Sequence, residues 1–283
     1  MKIGIYHKDC TDGTGAAAGL FKRFRYDIYL VPLNYDYNFY EVEELVEKLN
    51  PKVIYIVDFT LRKEDMEELL KKGYRIKVYD HHITAENILK SLKHYENLEY
   101  IYDKNKSGAM IVWCALSNTD KHKEMEYMRY IQDRDLWIWE YENTKYITLY
   151  LYQYVNRPEK FLDIMQNEKI EDIIDYGKKV AGFIESQKSM AITSMGYNEI
   201  DGIKFFNCNF EKSDIGNYLS KYYNEPVAIY HIDGEKVRIS FRSVPYCRKG
   251  NALKWANHYG GGGHEHAAGA VISLRDFMRY MKQ

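Results

Sequence analysis

The sequence predicts an α/β protein that begins with a parallel, doubly wound sheet domain and ends with a second, smaller α/β domain. Short apolar runs alternate with helical patterns, as in parallel sheets covered by helices on both faces. Three of these runs end in acidic or histidine side chains: Lys2–Tyr6 before His7, Val53–Val57 before Asp58, and Ile76–Tyr79 before Asp80-His81-His82. Ligands of such sheets bind at the carboxyl ends of the strands. The acids and histidines therefore mark a candidate site.

The other elements of the first part continue this alternation. Apolar residues at helical spacing predict the helices, and Pro51 and Gly73 mark two of the helix ends. The predicted helices are Gly13–Phe24, Glu41–Leu49, Arg62–Lys72, Ala85–Lys93 and Ala109–Leu116, and the further strands are Ile28–Leu33 and Glu99–Tyr102.

The pattern changes towards the C-terminal end. Residues 121–188 are mostly helical in pattern, with a connecting helix predicted over Glu171–Met195, and short strands follow beyond Gly196. These strands are Lys204–Asn207, Val227–Ile232 and Val237–Phe241, followed by a helix at Leu253–His258 and a glycine turn. We expect a metal-binding catalytic domain over residues 1–165, a connecting helix over 166–190 and a substrate-binding domain with a glycine-rich loop over 191–283.

Composition excludes several classes of protein. The 283 residues carry a formal net charge of -1, so no global attraction to nucleic acid or to an anionic membrane is expected. None of the four cysteines forms a Cys-x-x-Cys pair, which argues against a zinc ribbon or a disulfide framework. The N-terminal residues lack the apolar core of a signal peptide, and no apolar run is long enough to span a membrane. We expect a cytoplasmic protein without a membrane partner.

The turn after the first strand is rich in possible ligands. His7, Asp9, Cys10 and Asp12 precede Gly13, and the glycine lets the backbone come close to a ligand at a helix N-terminus. The ordinary alternative is a polar loop in which Asp12 caps the helix.

The next two strand ends offer one acid and one rarer triplet. Asp58 after Val57 is a candidate ligand, although a single acid in this position is often a helix cap. In the triplet that begins at Asp80, the neighbouring histidines point in different directions. One imidazole can hold a metal ion while the other faces substrate, and the acid can fix a ring orientation.

A fourth segment offers two further carboxylates. Asp133 and Asp135 flank Arg134 and are followed by Trp137 and Trp139. In one interpretation, one of the two aspartates is a metal ligand. In the other, the segment is a charged helix end packed by tryptophans.

The last segment is a run of four glycines before a histidine. Gly260–Gly263 precede His264, and ordering so many glycines is entropically costly. Backbone N–H groups that approach an anion would explain the run, whereas a flexible hairpin is the alternative. Upstream, Arg242 and Ser243 lie at the end of a predicted strand, and the guanidinium fork of arginine suits phosphate.

These segments, in this order, resemble the DHH phosphoesterase family with its C-terminal DHH-associated substrate-binding domain, a group that includes oligoribonucleases and single-strand exonucleases. The resemblance spans nearly the whole chain. It implies two domains with the active site in the cleft between them. It also implies two divalent cations, usually Mn²⁺, with Mg²⁺ or Co²⁺ as alternatives.

The resemblance also implies a role for each segment. Asp58 would bridge the cations, Asp80 would orient His81, and His82 would face the scissile phosphate. Asp12, His81 and Asp133 would complete one metal site, and His7, with Asp9 as a further candidate, would hold the other. The substrate would contact Arg242, Ser243, Gly261, Gly262, Gly263 and His264.

One departure from the family pattern concerns the first segment. Two acids separated by one residue are usual there, but the residue two before Asp12 is Cys10. Asp9 could take over the role, Cys10 could ligate and favour softer cations such as Zn²⁺, or the metal beside His7 could be weakly held. Similarly, Asp135 could replace Asp133.

The expected function is a metal-dependent phosphoesterase that hydrolyses phosphodiester or phosphomonoester bonds of short oligonucleotides or small nucleotides. The near-neutral charge and the lack of a Lys/Arg-rich tract argue against a processive nuclease on long strands. One alternative is a 5′-to-3′ exonuclease on single-stranded DNA. Another is a catalytically impaired nucleotide sensor, which Cys10 would explain. The sequence leaves the oligomeric state open, a homodimer included.

Overall fold

The computed structural model describes residues 1–116 and 123–281, which form two compact units, Met1–Gly182 and Phe183–Gln283. Residues 121 and 122 of the predicted helical stretch, and residues 282 and 283 of the predicted second domain, lie outside the described residues. The helix Ile170–Ser194 contains the boundary between the units. The catalytic and substrate-binding roles of the predicted domains stay predictions.

The first unit is built on a five-stranded parallel sheet. Its strands are β1 (Lys2–His7), β2 (Ile28–Leu33), β3 (Ile54–Val57), β4 (Ile76–Asp80) and β5 (Leu98–Tyr102). The strand order is β2-β1-β3-β4-β5, so the chain moves outward from β1 in one direction and then, from β3, in the other. This reversal makes the sheet doubly wound. It leaves a crevice at the carboxyl ends of β1 and β3, where ligands bind in such folds.

Helices cover both faces of this sheet. They are α1 (Thr11–Phe24), α2 (Phe39–Leu49), α3 (Lys63–Lys71), α4 (Ile83–Leu92), α5 (Gly108–Leu116), α6 (Lys123–Asp135), α7 (Thr144–Tyr152), α8 (Pro158–Asn167) and α9 (Ile170–Ser194). The strands alternate their apolar side chains between two cores, as the period of two requires. Ile3 and Ile54 belong to the core under α2, α3 and α4, whereas Tyr6, Tyr55 and Val57 belong to the core under α1 and α5.

Small residues bring α1 unusually close to α5. A Cβ on Gly19 would lie 2.9 Å from the indole Nε1 of Trp113, and one on Gly15 would lie 3.1 Å from the Cβ of Ala109. The same indole N–H donates a hydrogen bond of 3.0 Å to the carbonyl of Gly15. This packing fixes the N-terminus of α5 beside the loop that follows β1.

The second unit contains a mixed six-stranded sheet. Its strands are β6 (Tyr197–Ile200), β7 (Ile203–Asn207), β8 (Val227–Asp233), β9 (Lys236–Arg242), β10 (Gly262–Gly263) and β11 (Ala267–Ser273), in the order β10-β11-β9-β8-β7-β6. Its helices are α10 (Lys212–Tyr223), α11 (Ala252–His258) and α12 (Leu274–Tyr280). The predicted fold class, a doubly wound parallel domain followed by a smaller α/β domain, is confirmed. No helix among residues 1–116 and 123–281 is long and apolar enough to cross a membrane.

The packing of α9 provides a test of the first unit. A Cβ on Gly177 would lie 2.2 Å from the carbonyl oxygen of Tyr146 in α7, so Gly177→Ala must push the two helices apart. We expect a loss of about 1–3 kcal/mol in the free energy of unfolding, measured by urea denaturation.

Gly182→Ala is the matched control in the same helix. No described atom lies within 4 Å of a Cβ built on Gly182, so the change should leave stability unaltered or raise it by up to about 1 kcal/mol. Equal effects of the two substitutions would contradict the close contact between α7 and α9.

Candidate metal centre

The loop after β1 delivers three of the candidate side chains. β1 ends at His7, Cys10 is the N-cap residue of α1, and Asp12 lies in its first turn. A Cβ on Gly13 would lie 2.2 Å from the carbonyl oxygen of His7, so only glycine allows this tight passage from strand to helix. The close backbone approach predicted at Gly13 is thus an approach to His7 of the same chain.

Asp58 follows β3 in a constrained position. Its φ of 51° lies in the left-handed region, which is uncommon for a residue other than glycine. The N-terminus of α5 is close by, because a Cβ on Gly108 would lie 2.5 Å from the Cβ of Asp58. The carboxylate is 1% exposed. Backbone strain at a buried acid is typical of functional sites.

The two carboxylate oxygens of Asp58 face different partners. Oδ1 lies 3.0 Å from Nε2 of His81. Oδ2 lies 3.7 Å from Nδ1 of His7 and 3.7 Å from Sγ of Cys10. Asp58 therefore stands between two groups of potential ligands, as its predicted bridging role requires.

The first group consists of Asp12, His81 and Asp135. Nε2 of His81 lies 3.6 Å from a carboxylate oxygen of each of the two aspartates. Asp12 does not cap its own helix, since its oxygens accept hydrogen bonds from the N–H groups of Gly108 (2.6 Å) and Ala109 (3.0 Å). The positive end of the α5 dipole thus holds the Asp12 carboxylate in place.

The structure brings Asp135, and not Asp133, to His81. The Asp133 carboxylate accepts hydrogen bonds from the N–H groups of Glu140 (2.7 Å) and Tyr141 (3.2 Å) and from the Thr144 hydroxyl. It organises the loop between α6 and α7. Residues two apart on a helix do not share a face, so only one of the two aspartates can point to the centre. Asp135, the alternative left open by the sequence, is thus the aspartate beside His81, and its role as a metal ligand stays a prediction.

Asp9 also binds a residue outside the cluster, Asn156. Its φ is 56°, its N–H donates to Oδ1 of Asn156 (2.9 Å), and its carboxylate accepts from Nδ2 of the same asparagine (2.6 Å). The group of possible metal ligands beside Asp58 contains Cys10, with the donor atoms of His7, Cys10 and Asp58 all within 4.8 Å of one another. The structure therefore places the thiol, and not Asp9, at this position.

Asp80 orients the second histidine of the triplet. One oxygen accepts hydrogen bonds from the backbone N–H groups of His81 (2.7 Å) and His82 (3.1 Å) and from Nδ1 of His82 (2.7 Å). The other oxygen accepts from the Thr60 hydroxyl at 2.6 Å. The resemblance implied that Asp80 orients His81. In the structure, the Asp80 carboxylate contacts the backbone of His81 and the ring of His82.

The electrostatics of the cluster are those of crowded negative charge. Burial, together with Asp58 and Asp135, raises the pKa of Asp12 well above its usual value, and burial and Asp58 raise the pKa of Asp135. Although burial opposes it, the hydrogen bond to Asp58 and the charge of Asp135 raise the pKa of His81 to about 10. A proton on His81 thus supplies positive charge beside the carboxylates, and divalent cations bound there would supply positive charge in the same place.

The donor set fits a divalent metal centre. Carboxylate oxygens and imidazole nitrogens suit Mn²⁺ and similar ions. Oδ2 of Asp135 is buried and accepts no hydrogen bond from the residues that the structure describes, which is costly unless another partner binds there. A cation between Asp12, His81 and Asp135 would satisfy that oxygen.

Aromatic rings line the His7 side of the centre, and no pattern in the sequence predicted them there. Tyr35 and Phe59 lie with ring centroids 5.2 and 6.1 Å from that of His7, and Tyr35 is 6.2 Å from His82. The Tyr35 side chain is 48% exposed. It offers a surface beside both histidines that a substrate could contact.

The predicted substrate residues of the second unit also carry structural contacts. Arg242 donates to the carbonyl of Phe241 and to the hydroxyl of Ser213, both at 2.8 Å. The Ser243 hydroxyl lies 3.0 Å from Nδ1 of His266 and accepts from the N–H of Ala252 at 3.0 Å. Arg242 is the last residue of β9 and Ser243 follows it. β9 pairs with β11, and the same end of β11 pairs with Gly262 and Gly263.

The glycine run is part of the sheet rather than an open nest. A Cβ on Gly261 would lie 1.9 Å from the carbonyl oxygen of Gly269, and Gly262 and Gly263 pair with β11. The N–H of Gly261 donates to the carbonyl of Ala256 (2.8 Å), and that of His264 donates to the carbonyl of Ala267 (2.8 Å). Close strand pairing therefore explains the glycines without a bound anion, and their contact with substrate stays a prediction.

Comparison with known proteins agrees with this architecture. Residues 203–283 match the DHHA1 domain. The fold is shared by RecJ from Thermus thermophilus in complex with Mn²⁺ (TM-score 0.59, 12% identity, 99% of this chain and 50% of that chain). The C-terminal part of the chain is therefore similar to the DHHA1 domain, and the chain as a whole shares the fold of RecJ. The resemblance inferred from the sequence segments is confirmed.

Two further proteins are similar to this chain, one in structure and one in sequence. The pGpG-specific phosphodiesterase PggH from Vibrio cholerae has a similar structure (TM-score 0.51, 14% identity, 99% of this chain and 96% of that chain). An uncharacterised protein of Acanthamoeba polyphaga mimivirus is 27% identical over 96% of this chain and 68% of its own length. At these identities, the solved structures establish the fold alone.

The different surroundings of Asp133 and Asp135 predict different mutant phenotypes. Asp135→Asn should weaken Mn²⁺ binding at least about tenfold in calorimetric titration, since the variant loses the charge of a carboxylate that lies 3.6 Å from Nε2 of His81. Its raised pKa means that the charged form is unfavourable in the metal-free fold, so the neutral amide should not lower stability near pH 7.

Asp133→Asn should affect stability more than metal binding. It should lower the free energy of unfolding by about 1–3 kcal/mol through the weakened loop hydrogen bonds, with a smaller effect on Mn²⁺ affinity. If Asp133→Asn abolished metal binding while Asp135→Asn left it intact, the assignment of the two aspartates would be reversed.

Proposed function

We propose that this protein is a two-metal phosphohydrolase that cleaves phosphodiester or phosphomonoester bonds of short oligonucleotides or small nucleotides. The observation that carries the proposal is the divided carboxylate of Asp58, with one oxygen 3.0 Å from His81 and the other 3.7 Å from both His7 and Cys10. A buried acid between two groups of ligands is suited to hold two cations on either side of one substrate phosphate.

Each cation would have its own ligands. Asp12, His81 and Asp135 would hold the first together with Oδ1 of Asp58, and His7 would hold the second together with Oδ2. Mn²⁺ is the proposed ion, with Mg²⁺ or Co²⁺ as alternatives, because most of the donors are oxygen and imidazole nitrogen. When bound, such cations supply positive charge to the phosphate and lower the pKa of water.

The chain's own residues position these groups. The N–H groups of Gly108 and Ala109 hold Asp12, and the tight contact of Gly108 with Asp58 sets the backbone from which the bridging carboxylate projects. Because these contacts are buried, the ligands are preorganised and need little rearrangement when cations bind.

His82 is the proposed contact to the reacting phosphate. Asp80 accepts a hydrogen bond from its Nδ1 at 2.7 Å, which fixes the orientation of the ring, and Nε2 is the nitrogen that would contact the substrate. Burial opposes protonation, yet the Asp80 charge raises the pKa of His82 above its ordinary value, which favours the imidazolium form. An imidazolium N–H can donate to the phosphate oxygens as negative charge builds up on them.

The size of the substrate is the second part of the proposal. The net charge is -1, and the sequence has no Lys/Arg-rich tract that would hold a long strand. The DHHA1 unit would supply the contacts to nucleotide, with Arg242, Ser243, Gly261, Gly262, Gly263 and His264 as the candidates. A mononucleotide end, a short oligonucleotide or a dinucleotide needs few contacts of this kind.

Two alternative functions would give different results in a hydrolysis assay. A 5′-to-3′ exonuclease on single-stranded DNA would be supported by cleavage rates that stay high on long strands. A nucleotide sensor without catalysis would bind nucleotide but release no product. Both alternatives are therefore outcomes of the same assay.

We expect the protein with Mn²⁺ to release mononucleotides from short RNA or DNA oligomers, or to hydrolyse a linear or cyclic dinucleotide, with rates that fall as strands lengthen. Asp58→Ala and His81→Ala should each lower the rate by about 10³-fold or more, because a two-metal site loses its bridge or a direct ligand. Product release is followed by chromatography.

His94→Ala is the control, since His94 is an exposed histidine of the same unit outside the cluster. It should keep the parental rate. Hydrolysis that survives in Asp58→Ala would sink the proposal, and the absence of turnover on every substrate would favour the sensor.

The Asp80–His82 pair predicts a separable effect on catalysis. His82→Asn should lower kcat by about 10²-fold or more, as expected for loss of a group that acts in the transition state. Asp80→Asn should lower kcat as well, because the His82 ring loses its anchor and its charge partner.

Both variants should keep a Mn²⁺ affinity closer to that of the parent protein than the affinity of Asp58→Ala. Calorimetric titration measures these affinities. A kcat unchanged in His82→Asn would remove His82 from the proposed mechanism.

A further inference from the structure

The position of Cys10 points to a property that the sequence left open. Its Sγ lies 3.7 Å from Oδ2 of Asp58, and the donor atoms of His7, Cys10 and Asp58 all lie within 4.8 Å of one another. Three elements supply these donors: the end of β1, the N-cap of α1 and the residue after β3. The thiol is therefore one member of a cluster and not an isolated cysteine.

The acid that could have replaced the thiol is held elsewhere. Asn156 binds both the N–H and the carboxylate of Asp9, at 2.9 and 2.6 Å. The N–H of Asn156 itself donates to the Thr14 hydroxyl at 3.0 Å, which ties the loop before α8 to α1. Moving the Asp9 carboxylate to Asp58 would break its hydrogen bonds to Asn156, whereas the Cys10 thiol already lies beside Asp58.

The separations match those of ligands around one small cation. With bond lengths near those of Zn²⁺, tetrahedral ligand atoms lie about 3.3–3.5 Å apart for a nitrogen and an oxygen and about 3.5–3.7 Å apart for a sulfur and an oxygen. The separation from Sγ of Cys10 to Oδ2 of Asp58, 3.7 Å, lies at the upper end of its range, and the separation from Nδ1 of His7 to the same oxygen, also 3.7 Å, lies slightly above its range. The three donors can thus bind a common ion with little movement.

We propose that Cys10 ligates a cation as its thiolate, so that the subsite of His7, Cys10 and Asp58 prefers a borderline or soft ion such as Zn²⁺ over Mg²⁺. Binding forms a sulfur–metal bond, and the thiol proton passes to solvent. The other subsite, with Asp12, His81 and Asp135, keeps oxygen and nitrogen donors and suits harder ions. The two subsites would therefore differ in metal preference. This inference rests on the metal centre of the proposed function and adds a selectivity to it.

Cobalt provides a readout that does not depend on turnover. Co²⁺ takes sites of this kind, and a cobalt–thiolate bond produces an intense charge-transfer absorption in the near ultraviolet. We expect this absorption when the full-length, reduced, metal-free protein is titrated with Co²⁺. Added Zn²⁺ should abolish it at lower concentrations than added Mg²⁺.

Variants assign the absorption to one sulfur. Cys10→Ser should lose it while weaker cobalt bands from the other subsite remain, and these bands also report that the variant is folded. Cys114→Ser is the matched control, since Cys114 is an exposed cysteine of the same unit, and it should keep the absorption.

Cys10→Asp tests the selectivity. An oxygen donor at this position should lower the preference for Zn²⁺ over Mn²⁺ by about tenfold or more, because the soft ligand is gone. Competition titrations of the parent and the variant measure this ratio directly.

Each outcome decides the proposal. No charge-transfer absorption in the parent, absorption that persists in Cys10→Ser, or an unchanged metal preference in Cys10→Asp would overturn it. Absorption that depends on Cys10, in a protein that hydrolyses none of the tested substrates, would support the thiolate ligand and contradict the proposed hydrolase activity alone.

Discussion

The structure depends on bringing several carboxylates together in a buried place at one edge of a sheet. Asp12 and Asp58 are fully or almost fully buried, and Asp135 faces the same histidine as they do. Like charges at such distances repel strongly when little water is present to screen them. In the metal-free chain, part of this repulsion is relieved by raised pKa values at Asp12 and Asp135 and by a proton on His81. The arrangement is costly for folding and advantageous for binding cations.

Close backbone contacts make this arrangement specific. Gly13 and Gly108 occupy positions where a Cβ would collide with His7 or with Asp58, and Asp58 itself adopts a left-handed backbone conformation. The small residues of α1 let α5 approach, and the N-terminus of α5 then donates hydrogen bonds to Asp12. Apolar packing far from the charges thus determines the geometry of the ligands.

The sequence predicted the parts of the site that depend on strand ends. His7, Asp58 and the triplet at Asp80 follow apolar runs, and the parallel sheet gathers such residues at one edge whatever the loops do. It could not choose between Asp133 and Asp135, because that choice depends on which carboxylate the α6–α7 loop captures. Nor could it see that Asn156 holds Asp9, a contact across 147 residues. The glycine run looked like an anion nest, yet its pairing with β11 arises from tertiary packing that composition does not encode.

The most direct test of this account is a crystal structure of the protein soaked with Mn²⁺ and measured at the manganese absorption edge. We expect two anomalous peaks flanking Asp58, one bound by Oδ1 with Asp12, His81 and Asp135 and the other by Oδ2 with His7 and Cys10. A single peak, or peaks that leave Asp58 unbound, would contradict the central claim that this carboxylate divides the site between two cations.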